Sequence, residues 1–188
     1  VCLGSATRAC EMLTDRTKEY VAELLLGKIT DTQDTTGTVL EEREVAVDEA
    51  QVREVIGSFV GGYDQIPPMY SALKVNGKKL YELARAGKEV ERQARHVDLP
   101  AIEILEIRLP VVKFRVECSK GTYIRSLCAD IGGKLGCGGT MQSLVRTRVG
   151  EFRLTDALTL TQLQELRDTG RLEEALLPTD RIFADFNA

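Results

Sequence analysis

Histidine is nearly absent from this chain, His96 being the only one in 188 residues. Serine–histidine acyl chemistry, which needs an imidazole as base, therefore has little support. The five cysteines, Cys2, Cys10, Cys118, Cys128 and Cys137, are odd in number and widely spaced, with no Cys-x-x-Cys. A structural zinc site needs four clustered ligands, so none is expected. Reduced, mostly buried thiols in a cytoplasmic protein are expected instead. No apolar run approaches membrane-spanning length, and no signal-peptide pattern opens the chain. Internal repeats and low-complexity tracts are also missing. Asp31 and Asp34 have an acidic spacing, but the further oxygen ligands of a calcium loop do not follow. What is present, 43% apolar and 29% charged residues, is the composition of a globular chain long enough to bury a real core.

The net charge of −4 argues, taken whole, against a nucleic-acid partner. Its distribution argues otherwise. Between Gln65 and Arg95 there are seven basic residues (Lys74, Lys78, Lys79, Arg85, Lys88, Arg92, Arg95) and three acidic ones, so this segment carries +4 and the remainder −8. A local basic patch can meet phosphates whatever the total charge. A solvated surface face would have the same composition.

Period-two alternation predicts a strand over 18–27, with Tyr20, Ala22, Leu24 and Leu26 on one side. Two paired strands are expected over 99–109 and 111–118, separated by Pro110. Residues 30–38 read as a loop. Asp48 and Gln51 form a capping box for a helix whose apolar face is Val52, Val55, Ile56, Phe59 and Val60, stopped by Gly61-Gly62. Asn76-Gly77 signals a hairpin, with a helical turn through Leu80, Leu83 and Ala84 after it. The segment 65–95 reads as an insertion projecting from the body. A short strand is expected over 149–154; Thr161 with Gln164 caps a last helix, and Pro178 closes the turn after it. Strands and helices mix without regular βαβ alternation, which defines the class as α+β.

The stretch Gly121-Thr122-Tyr123-Ile124-Arg125-Ser126-Leu127 joins a strand end to a helix. Ile124, Leu127, Cys128, Ile131 and Leu135 mark one helical face, and Gly136 is placed to end it. Arg125 falls in the first turn. A guanidinium is a poor guest at the positive end of a helix, so a nearby anion would explain it, as would snorkelling to solvent.

These residues, with Leu135-Gly136-Cys137-Gly138-Gly139 and Leu144-Val145-Arg146-Thr147, closely resemble the TruB family of tRNA pseudouridine synthases. So do Pro67-Pro68-Met69-Tyr70-Ser71-Ala72-Leu73-Lys74 with Gly77-Lys78-Lys79-Leu80-Tyr81-Glu82-Leu83-Ala84-Arg85, and Lys18-Glu19-Tyr20 with Asp31-Thr32-Gln33-Asp34-Thr35-Thr36-Gly37. The matches keep the family's order from the first residues to about Gly150. The Gly-Thr-Leu-Asp-Pro-type loop that carries the family's nucleophilic aspartate does not occur in these 188 residues. The expectation is a partial catalytic domain over 1–180, truncated at its N-terminus and inactive alone, with 181–188 as a linker toward a missing C-terminal RNA-binding domain.

The resemblance implies a mixed, largely antiparallel sheet with flanking helices, split by an RNA-binding cleft. It implies isomerisation of uridine to pseudouridine at position 55, in the TΨC arm of tRNA. An ionised aspartate attacks the uridine, the glycosidic bond breaks, the base rotates, and C5 rejoins the ribose. Neither metal nor organic cofactor is implied, nor a membrane or protein partner; the T arm of tRNA is the expected partner of a cytoplasmic monomer. Tyr20 would pack against the extruded uracil and Arg125 would hold the aspartate charged and oriented. Asp34, Tyr123 and Leu144 would line the nucleoside site; as plain residues, the tyrosines and Leu144 also suit a core and Asp34 a turn. Lys74, Lys78, Lys79, Arg85, Arg92 and Arg95 would touch RNA phosphates. The alternatives are a non-catalytic RNA-binding or RNA-folding module, and a plain interaction domain in which Tyr20, Tyr123 and Arg125 lie scattered.

Overall fold

The alternating strand patterns need a second layer to cover their apolar sides, and the helices supply it. In the computed structural model, which describes residues 1–75 and 77–178, a short helix α1 (Cys10–Thr14) precedes β1 (Lys18–Leu26). β2 (Lys28–Thr30) and β3 (Val39–Glu42) pair around the polar loop between them. α2 (Glu49–Gly57) follows, then β4 (Tyr63–Gln65), β5 (Lys74–Val75), β6 (Lys78–Lys79) and α3 (Leu80–Arg85). β7 (Arg95–Val97) returns to pair with β4, so 65–95 leaves and re-enters the body through one two-stranded ladder. β8 (Ala101–Arg108), β9 (Val111–Cys118), α4 (Ile124–Lys134), β10 (Gly139–Val149), β11 (Phe152–Arg153) and α5 (Leu160–Asp168) complete the order. Asn76 of the expected hairpin and the expected linker 181–188 lie outside the described residues.

The main sheet has the order β11-β10-β1-β9-β8, and its ladders are all antiparallel. A single parallel bridge, Asp34 with Met141, attaches the β2–β3 loop to it. This is the α+β class read from the sequence. Ala22, Leu24 and Leu26 of β1 and Val112, Phe114, Val116 and Cys118 of β9 form the floor of the core. Val52, Ile56 and Phe59 from α2 and just beyond it, and Ile124, Leu127, Cys128 and Ile131 from α4, form its roof. The other face carries cross-strand ion pairs, such as Arg148 with Glu117 at 2.6 Å and Lys113 with Glu23 at 3.5 Å.

Four local expectations change. β10, the eleven-residue strand beside β1, was not expected, because the run from Gln142 to Arg146 is exposed and alternation disappears from it. Residues 149–154, expected as one strand, instead turn at Gly150 (φ +55°) from β10 into β11. The last helix is capped two residues earlier than expected. Thr159 accepts from Gln162 N–H, and Gln162 Oε1 accepts from Thr159 N–H. Thr-x-x-Gln occurs twice here, and the register cannot be chosen from that spacing alone. The Asp48–Gln51 box forms as read, but α2 ends at Gly57, leaving Val60 exposed.

Candidate functional site

Two adjacent strands, one helix N-terminus and the β2–β3 loop carry the candidate uridine-site residues. On β1, Tyr20 shares the helix-covered face with Ala22 and packs against the core, opposite Val116 on β9 and Arg146 on β10. Leu144 lies beside Ala22 on that face, since directly paired residues of an antiparallel ladder point the same way. It remains 39% exposed. Two residues before Tyr20, Lys18 donates to the carbonyls of Thr14 and Arg16, both at 2.8 Å. Burial pulls its ammonium below the usual lysine range.

β9 runs toward the Lys18 end of β1, and α4 runs back over the sheet. Tyr123 is the N-cap of α4 and lacks a side-chain cap. Its backbone is held instead by Gln65, whose Oε1 accepts from Tyr123 N–H (2.8 Å) and whose Nε2 donates to Tyr123 O (3.0 Å). Arg125 is half-buried in the first turn, and its side chain makes no hydrogen bond or ion pair with any other described residue. Its neighbour Ser126 donates to Gln33 Oε1 at 2.8 Å, which ties the β2–β3 loop to α4.

That loop places Asp34. Its backbone bridges Met141, with Met141 N–H bonded to Gln33 O and Thr35 N–H to Met141 O. Asp34 Oδ1 accepts from Thr36 N–H and Thr36 Oγ1, at 2.9 and 2.8 Å. Its charge is felt on α4: burial, Asp130 and Asp34 together push the Cys128 thiol well above the usual range. Asp31 accepts from Thr38 N–H across the same loop. Both aspartates thus serve the turn, and no cluster fit for a metal occurs among the described residues. The first turn of α4, the Asp34 loop and the Tyr20–Leu144 face are thereby joined through β10.

The basic residues lie apart, on the 65–95 segment. Lys74, Lys78, Arg85 and Arg95 are exposed. Lys79 donates to Tyr81 Oη (3.3 Å), and Lys79 and Arg85 both stand 5.4 Å from the centre of the Tyr81 ring. Arg92 turns inward to Pro67 O (3.2 Å) and Glu89 (3.3 Å). Its two terminal nitrogens thus hold the segment together, while its buried Nε has no partner among the described residues.

Sequence reasoning missed three residues here. Gln33 sits at φ +61°, rare for a residue other than glycine, so that it can reach Ser126. Gln65 is 1% exposed, and its role depends on a partner 58 residues away. Arg146, beside Tyr20, adds an exposed cation to that face; the only sequence signal for it was its place in the Leu144–Thr147 match.

A strand face bearing a half-buried phenol, beside a helix whose first turn holds a guanidinium unpaired among the described residues, is a frame for binding a flat base next to an anion. Comparison with known proteins says which class uses this frame. The chain belongs to the TruB family of pseudouridylate synthases: the family's N-terminal-domain model matches residues 1–124. The model described as the tRNA pseudouridylate synthase B C-terminal domain matches 125–184. The boundary between them falls inside one sheet, since β9 and β10 both flank β1.

Among relatives, tRNA pseudouridine synthase B of Alkaliphilus oremlandii is 52% identical over 180 residues, covering 96% of this chain and 59% of its own. That of Clostridium tetani is 45% identical over 187 residues, covering 99% and 63%. The chain thus spans about three-fifths of the length of these curated relatives. Of solved structures, a chain in a Cbf5–Nop10–Gar1 complex is 31% identical, with a TM-score of 0.72, over 96% of this chain and 47% of that one. Another, from an H/ACA RNP bound to a substrate RNA containing 2′-deoxyuridine, is 28% identical with a TM-score of 0.68, over 96% and 45%.

Proposed function

We propose that this chain forms the catalytic core of an enzyme that isomerises uridine to pseudouridine at position 55, in the T arm of tRNA. The observation that carries this reading is Arg125: a half-buried arginine without a counter-charge among the described residues, in the turn that faces the Asp34 loop. A carboxylate offering two parallel hydrogen bonds is the best complement of a guanidinium without a counter-charge. In the reaction implied by the family, that carboxylate is the nucleophilic aspartate, and Arg125 keeps it ionised while it attacks the uridine. Tyr20 supports the extruded base, Leu144 and Tyr123 close around it, and Asp34 meets the nucleoside. Exposed Lys74, Lys78, Arg85 and Arg95 supply salt-dependent contacts to phosphates, with Lys79 and Arg92 at the base of the patch. The cytoplasm, where the free cysteines stay reduced, is the compartment this implies.

The 188 residues contain no Gly-Thr-Leu-Asp-Pro loop. By themselves they bind T-arm RNA without turnover, which is also what a non-catalytic RNA-binding module would do. Mass spectrometry of pseudouridine formed on T-arm RNA separates the two readings. These residues preceded by the aspartate loop of a relative are expected to form pseudouridine, and the same protein with Arg125→Ala is not. An extended protein that binds the RNA and leaves uridine unchanged would refute the enzyme reading.

A further inference from the structure

The helix that presents Arg125 begins without the usual side-chain cap, and its first residue is gripped from another element. Both backbone groups of Tyr123 are bonded to one carboxamide, that of Gln65 at the end of β4. Gln65 is almost fully buried. Its Nε2 also donates to Tyr63 Oη at 2.6 Å, and Tyr63 Oη donates to Asp130 Oδ2 at 2.7 Å. Two residues of β4 thus hold α4 at two points, its N-cap and its second turn. Tyr63 is fixed in turn by a T-shaped contact with the Phe59 ring, with centroids 4.9 Å apart.

We infer that Gln65 is a positioning residue for the uridine site, setting where the Tyr123 ring and Arg125 stand. This rests on the function proposed above. An N-cap residue has non-helical backbone angles, here φ −103° and ψ 107°; the helix holds its carbonyl through Leu127 N–H at 3.1 Å but leaves its N–H to Gln65. The carboxamide matches one donor and one acceptor of the same residue, which fixes the orientation of that peptide as well as its position. Tyr123 is the first of these residues and Arg125 lies two further on, so a rotation at the clamp moves both. The arm is also shared. The backbone of Gln65 pairs with Arg95 where the basic segment leaves and re-enters, so that segment and the helix start are joined at one residue, the first through its backbone and the second through its side chain.

The test compares the intact chain with Gln65→Leu and Tyr63→Phe. Two probes are used: a T-arm stem-loop with uridine at the target position, and the same stem-loop abasic there. Amide exchange at Tyr123 is followed in parallel. Gln65→Leu should speed Tyr123 exchange about tenfold, the equivalent of losing two neutral hydrogen bonds. It should also reduce the preference for uridine over abasic RNA by a similar factor, with affinity for the abasic RNA unchanged. Tyr63→Phe leaves the clamp on Tyr123 in place; it should lower the melting temperature and retain the preference. Unchanged Tyr123 exchange in Gln65→Leu overturns the inference, as does faster exchange with the uridine preference intact. An equal loss of preference in Tyr63→Phe overturns it too, since general loosening would then suffice. A wild-type chain that does not distinguish the two RNAs refutes the proposed function, and this inference with it, whatever the exchange shows.

Discussion

Two adjacent glycines of α4 should respond to alanine with opposite signs. Gly132 lies directly against the start of β10. A Cβ there would stand 2.2 Å from Gly139 N, 2.3 Å from Gly138 C and 2.5 Å from Gly139 Cα. Ordinary contact begins near 3.4 Å, so the methyl is about 1.2 Å too deep, and every atom it meets is backbone. No side chain can swing away; the helix must lift from the sheet. Overpacking of this kind costs about 1–3 kcal/mol, and loss of the close seat for Cys128 and Leu24 around Gly139 pushes toward the upper end. Alanine's better helix propensity returns up to about 1 kcal/mol. Gly132→Ala should therefore destabilise the fold by about 1–2 kcal/mol, or roughly 2–8 °C in melting temperature. Gly133 has nothing within 4 Å of an added Cβ, so Gly133→Ala should be neutral or stabilise by up to about 1 kcal/mol. Urea unfolding of both variants measures the pair. If Gly132→Ala matches the wild type, or both shift alike, α4 is not seated on β10 by close backbone approach.

Other predictions concern charge and capping. Burial holds the Asp130 carboxyl above its ordinary range, partly offset by the hydrogen bond from Tyr63 and by Lys134. A raised folded-state pKa adds stability below the unfolded value, and that stability is lost as pH rises through the folded value. The wild type should therefore lose more melting temperature than Asp130→Asn between about pH 4 and about pH 7; equal losses would contradict this. Lys78→Ala with Lys79→Ala should weaken T-arm binding and lower the log–log salt slope by about 1–2, and an unchanged slope would remove this patch from the interface. Thr159→Ala should cost about 1 kcal/mol in calorimetry while Thr161→Ala costs little, and the reverse order would place the cap two residues later.

Much of the fold was legible beforehand because burial leaves a local imprint. β1 and β9 each bury alternate residues, α2 and α4 each bury one face, and Asp48 finds its capping partner three residues away. The family resemblance then named Tyr20, Asp34, Tyr123, Arg125 and Leu144 from short matches that depend only on order along the chain. β10 escaped, since a strand with one exposed stretch and two bulged pairings to β1 shows no clean period. Nor could the inward turn of Arg92 be read, because a guanidinium is equally basic whether it faces solvent or the carbonyl of Pro67.

From the amino-acid order alone came the α+β class, the helix that begins at Tyr123 and the location of the basic segment, all set by interactions spanning a few residues. The tertiary structure decided the rest. It put Gln65 on the backbone of Tyr123, Gln33 on Ser126 and Gly132 on Gly139, and it left Arg125 without a partner among the described residues. Such contacts link positions far apart in the chain, and their energy depends on distances that exist only after the sheet has closed beneath the helix.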